Sequence, residues 1–115
     1  MSTHAADDAR WRRICSFDDV QQGKPKAVDI DGTAIAIFKV GDRYHAVGNI
    51  CTHEYSLLSE GWQDGDTIEC PLHQARFCVV DGKCHGPLAE EDLRVYAVRI
   101  QDGDIYLLIK PTSNE

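Results

Sequence analysis

The sequence predicts an antiparallel all-β domain, and three observations carry that prediction. Four Asp-Gly pairs, at 31–32, 64–65, 81–82 and 102–103, punctuate the 115 residues. Asp-Gly between apolar runs is a tight-hairpin signal, because both residues tolerate the positive φ that such turns require. No stretch sustains the helical apolar period, and the segments Leu93 to Ile100 and Asp104 to Ile109 are strongly β-patterned.

Taken in order, Trp11 to Cys15 reads as a first strand and Ser16 to Val20 as a turn. Lys24 to Ile30 resumes an extended pattern, Asp31-Gly32 turns the chain, and Thr33 to Val40 runs back, rich in Ile, to Gly41-Asp42. Arg43 to Gly48 is a strand that delivers the chain directly to Cys51. Tyr55 to Glu60 has room for one helical turn. Past it, Asp64-Gly65-Asp66 is a turn, Thr67 to Glu69 a brief strand into Cys70, and Arg76 to Val80 a strand toward Asp81-Gly82. Residues 1–10 and 111–115 read as flexible polar tails around one domain at 11–110, a length that closes a single core without disulfide staples.

Composition narrows the function. Hydrophobic residues make up 43% and charged residues 27% of the chain, and no apolar run nears the roughly 20 residues of a membrane span. Residues Met1 to Arg10 lack the apolar centre of a secretory signal, so a cytoplasmic setting is expected. A net charge of −7 argues against nucleic acid, which needs a basic face to displace counterions. It suits either solubility alone or an acidic docking face that steers basic partner proteins.

Chemistry concentrates in two short pairs, Cys51-Thr52-His53 and Cys70-Pro71-Leu72-His73, sixteen residues apart. Two thiolates and two imidazoles on tight loops suit a tetrahedral zinc or an iron–sulfur cluster. A zinc finger usually keeps like ligands together, whereas here each loop offers one Cys and one His. That interleaving suits a two-iron cluster in which one iron takes both thiolates and the other both imidazoles. The five cysteines are an odd number, and no disulfides are expected.

These two motifs, with Gly86-Pro87 after them, resemble the signature of Rieske proteins, and the run from Trp11 to Ile109 has the length of the small Rieske ferredoxins. The resemblance implies a Rieske-like β-sandwich base with a cluster-binding lobe inserted at about 48–87. It implies one [2Fe-2S] cluster, with Cys51 and Cys70 on the inner iron and His53 and His73 on the outer. It also implies a monomeric one-electron carrier between a flavoprotein reductase and a terminal aromatic-ring hydroxylating oxygenase, with no catalysis of its own. Two readings stand beside it: a nitrite reductase small subunit or related electron-transfer subunit, and a zinc-stabilised binding module without redox activity.

High-potential members of the family carry an extra Cys in each loop and Ser and Tyr hydroxyls that donate to the cluster. The corresponding residues here are Ser56, Leu72, Ala75 and Phe77, which points to a potential at the low end, on the order of −150 mV. Glu54 and Gln74 stand where the family often has glycine and read as docking contacts; Pro87 reads as a stiff shield over the cluster. Cys15, Cys78 and Cys84 read as small buried hydrophobes, Trp11 and Trp62 as packing residues, and His45 as a strand residue. His4 falls in the N-terminal tail, and His85 reads as a surface neighbour of the lobe. Asp18-Asp19 and Glu90-Glu91-Asp92 read as solvated loop charges.

Overall fold

A computed structural model describes residues 10–50, 57–71, 75–85 and 92–109. Their strands are β1 (Arg10–Ser16), β2 (Lys26–Ile30), β3 (Thr33–Val40), β4 (Arg43–Gly48), β5 (Trp62–Asp64), β6 (Thr67–Glu69), β7 (Arg76–Cys78), β8 (Val95–Tyr96), β9 (Val98–Gln101) and β10 (Asp104–Ile109). Every strand pairing among them is antiparallel, in three sheets ordered β1-β10-β9, β2-β3-β4-β8 and β5-β6-β7.

The all-β class is therefore observed, and the reason lies in β3. Successive side chains on a strand point to opposite faces, and in β3 both faces are covered. Ile35 and Ile37 join Ala46, Ile105 and Leu107 in one apolar core. Ala36 and Phe38 join Val47, Ile68 and Phe77 in the other. Each fully buried Ile or Phe contributes roughly 1.5–3 kcal/mol, so the four-stranded sheet is clamped between the outer sheet and the small one. Double burial explains why Thr33 to Val40 is a nearly unbroken apolar run rather than an alternation.

Turn chemistry follows the Asp-Gly signals. At Asp31-Gly32 and Asp102-Gly103 both residues have positive φ, 54° and 88° in the first and 54° and 82° in the second, as a two-residue type I′ hairpin needs. The predicted turn at Ser16 to Val20 is a single 3-10 turn over Phe17–Asp19. Asp19 stays exposed there and also caps the turn: its carboxylate accepts from the Ser16 N–H while the Ser16 hydroxyl accepts from the Asp18 N–H.

Three expectations change. Leu93 to Ile100 is not one strand: β8 pairs with β4 in the central sheet, the chain breaks at Ala97, and β9 pairs with β10 in the outer sheet. One segment thus ties two layers together, which a uniform β pattern cannot announce. The strand out of the second ligand loop stops at Cys78, since the Val79 N–H turns to the Asp66 carbonyl and the Gly82 N–H to that of Cys78. Finally, β5 is a strand the apolar pattern does not mark, and its Trp62 is not a packing residue but 61% exposed.

Candidate metal centre

The sheets carry the candidate loops on short, pinned necks. β4 ends at Gly48, and the buried Asn49 that follows makes the first neck. Its backbone carbonyl accepts from the Leu58 N–H at 2.7 Å. Its side chain accepts from the Ser59 N–H at 2.7 Å and donates to the Ser59 hydroxyl at 3.0 Å. An isolated β-bridge between Ile50 and Leu57 sets the two ends of the excursion side by side. Cys51, His53, Glu54 and Ser56 belong to that excursion and lie outside the described residues.

The second neck joins β6 to β7. The Cys70 N–H donates to the Ala75 carbonyl at 2.7 Å, which holds these two residues together at the base of the second motif. Cys70 is fully buried in the apolar cluster of Leu58, Ile68, Ala75 and Phe77. His73 and Gln74 lie outside the described residues. A third excursion, which includes Pro87, begins at His85, whose N–H donates to the Arg76 carbonyl at 2.7 Å. It ends at Asp92, whose carboxylate accepts from the Cys84 N–H at 2.9 Å, and at Leu93, whose N–H donates to the Gly82 carbonyl.

The three necks converge on the cross-strand pair Glu69 and Arg76. The second loop lies between those two residues in sequence, and the third starts on Arg76. The first returns through Gly61, where a Cβ would collide with the Glu69 carbonyl oxygen. Only glycine permits that approach. The topology thus brings the bases of all three excursions, Cys70 among them, to one end of the small sheet.

Among the described residues no group of three or more His, Cys, Asp or Glu is placed to hold a metal ion, since three of the four expected ligands lie outside them. The part that is described fits a [2Fe-2S] cluster. One thiol donor, Cys70, is fully buried in an apolar cluster, and the side chains of Ala75 and Phe77 in that cluster bring no hydroxyl. A cluster with two ferric ions, two sulfides and two thiolates is neutral and suits such surroundings better than a four-thiolate cluster carrying two negative charges.

The remaining cysteines and aromatics are mostly structural. Cys15 and Cys78 are buried free thiols, and burial pushes the Cys15 thiol up, away from the reactive thiolate. The Lys83 N–H and the Cys78 thiol donate to Asp81 and hold its carboxyl below the usual range. Trp11 lies beneath the Arg99 guanidinium, 4.2 Å from ring centre to carbon. Residues that sequence reasoning missed are Asn49, Gly61, Gln63 and Asp92. Gln63 staples the small sheet to the base: its amide donates to the Lys39 carbonyl and accepts from the Gly23 N–H. A glycine just ahead of a strand and a lone Asn between a strand and a ligand motif were the available signals.

The fold is that of a small all-β domain, and its sequence carries two Cys/His motifs of the iron–sulfur kind. The chain belongs to the Rieske [2Fe-2S] domain family, whose profile matches residues 10–97, and its cofactor is a Rieske-type [2Fe-2S] cluster. It is 42% identical over 96 residues to the biphenyl dioxygenase ferredoxin subunit of Pseudomonas sp. (strain KKS102), covering 83% of this chain and 88% of that one. Among solved structures, the Sphingomonas yanoikuyae B1 ferredoxin aligns with a TM-score of 0.83 at 31% identity, covering 87% of this chain and 99% of that one. A ferredoxin solved in complex with the oxygenase of carbazole 1,9a-dioxygenase aligns at 0.81 and 35% identity, over 85% and 92% of the two chains.

Proposed function

We propose that this protein is the ferredoxin of an aromatic-ring hydroxylating dioxygenase system, an electron carrier and not itself a catalyst. It takes one electron at a time from a flavoprotein reductase and delivers it to a terminal oxygenase, as a monomer in the cytoplasm. The observation that carries this reading is the Rieske family match over most of the chain, together with close relatives named as ferredoxin components of such systems.

Cys51 and Cys70 would hold one iron, and His53 and His73 the other. When bound, the cluster supplies a one-electron couple. The chain's own residues set its surroundings. Cys70 and its apolar neighbours exclude water from one side, Pro87 stiffens the loop assigned to cover the other, and Glu54 and Gln74 stand beside the histidines as docking contacts. Without hydroxyls at Ala75 and Phe77 the reduced, more negative form has less stabilisation, so the potential is low, on the order of −150 mV.

Anaerobic purification tests the reading at its base. A red-brown protein with about two irons and two sulfides supports it, and a colourless protein holding a single zinc overturns it. With the cluster in place, reconstitution with a reductase and an oxygenase should show turnover that disappears in His53→Ala and His73→Ala.

A further inference from the structure

The chain's acidity is not evenly spread. Residues 49–94, between β4 and β8, hold nine of its nineteen carboxylates but only three of its twelve Lys and Arg. The remainder of the chain is nearly balanced, at ten against nine. On this acidic segment stands Trp62. A tryptophan is normally among the most buried side chains, yet this one is 61% exposed, more than any other large hydrophobic among the described residues.

Its position is set by pairing. Trp62, Glu69 and Arg76 lie opposite one another across β5, β6 and β7. The next row, Gln63, Ile68 and Phe77, points to the other face, where Ile68 and Phe77 are fully buried. The outward row is therefore Trp62, Glu69 and Arg76, with Arg76 ion-paired to Glu69 at 3.5 Å and with Glu60 and Asp64 exposed to either side of Trp62. Glu69 of this row immediately precedes Cys70, and the row adjoins all three loop necks.

We propose that the outward face of β5-β6-β7 is a protein-docking surface with Trp62 as its anchor, and that its occupant is a redox partner protein presenting Lys and Arg around an apolar recess. Trp and Arg are the residue types most enriched at the energetic centres of interfaces. The exposed carboxylates Glu60 and Asp64 beside the indole select a basic rim and speed encounter, while the indole supplies the apolar area that holds the complex once formed. The inference rests on the electron-carrier reading and adds a specific residue to it.

The test is calorimetric titration of the oxidised holo-protein with ferric cytochrome c, a strongly basic redox protein, at low ionic strength. Both are oxidised, so no electron moves and binding alone is read. Trp62→Ala should weaken binding about fivefold or more, and Trp62→Phe should stay within about twofold of wild type. Ile100→Ala, an exposed apolar residue on β9, should change nothing, and Glu60→Gln with Asp64→Asn should flatten the salt dependence. Failure of the wild type to bind, a Trp62→Ala variant that binds as wild type does, or an Ile100→Ala variant that loses as much as Trp62→Ala overturns the proposal. So does loss of a dimer in sedimentation with probe binding unchanged, which would make a second copy the occupant. Absorption of the same samples separates the two readings: a colourless protein defeats the electron carrier, and a coloured one indifferent to Trp62 defeats only the anchor.

Discussion

Asn49 is 2% exposed and satisfies both ends of its amide on Ser59, while its backbone carbonyl holds Leu58. Removing that amide leaves the half-buried Ser59 N–H without that partner, at a cost of ~1–3 kcal/mol. Asn49→Ala should therefore lower the denaturation midpoint by an amount in that range and also shorten cluster retention under a chelator. A loss of stability with unchanged cluster retention would show that Asn49 serves the core and not the neck. Ala75 and Phe77 make a complementary case, because both are fully buried and neither can donate a hydrogen bond. A hydrogen bond to a charged group is worth ~1.5–3 kcal/mol, so for a one-electron couple Ala75→Ser and Phe77→Tyr should each raise the midpoint potential by roughly 65–130 mV. Voltammetry of the variants decides it, and an unmoved potential would mean that missing hydroxyls do not set the low value.

Among the elements, the turn that follows β7 packs closely against the chain at Leu93. Gly82 has φ 76°, and a Cβ there would meet the Leu93 carbonyl and press on Val95, whereas Gly65, at φ 61°, has open space around it. Alanine at Gly65 should cost about 1 kcal/mol from backbone strain alone, and alanine at Gly82 clearly more, because the return segment must also move. Parallel urea melts compare them, and equal losses would mean that the close approach relaxes freely. On β4, His45 is held below the ordinary imidazole value first by burial and then by Arg43, against the opposing pull of Asp66. With the folded value depressed, the unfolded chain takes up the proton first. Stability should fall as pH drops below about 6.5, and His45→Gln should remove part of that slope. Legibility followed the same physics. Strands β3, β4, β6 and β10 were readable to the residue because apolar runs ended at Gly and Asp. The sheet change at Ala97 was not, since Val95 and Val98 look alike whichever sheet they join. Nor was β5, three residues with one apolar side chain, or the exposure of Trp62, which depends on what lies opposite. The ligand motifs were legible because their chemistry lies in residue type and spacing, while Asn49, Gly61 and Gln63 act through partners distant in sequence.

At the scale of the molecule, two apolar cores share the central sheet but stand in different relations to the cluster. The core of Cys15, Ile35, Ile37, Ile105 and Leu107 lies between the outer and central sheets and contains no expected ligand. The other, of Ala36, Phe38, Ile68 and Phe77, includes Cys70 itself. Strands β5, β6 and β7 are three residues each, and a short three-stranded sheet has little stability of its own. Its ties to the base are the shared core, the Gln63 staple and the loop necks. A bound metal contributes to folding wherever its ligands are spread over separate loops. Stripping the iron should therefore act locally. Hydrogen exchange on the chelated protein should show early loss of amide protection at Ile68, Cys70 and Phe77, while Ile37, Ile105 and Leu107 keep theirs. Uniform loss across both cores would mean that the small sheet and the base unfold as one unit and that the cluster stabilises the whole chain. Protection unchanged everywhere would mean that the shared core alone holds the small sheet, and the converging necks would then matter for placing the ligands but not for folding.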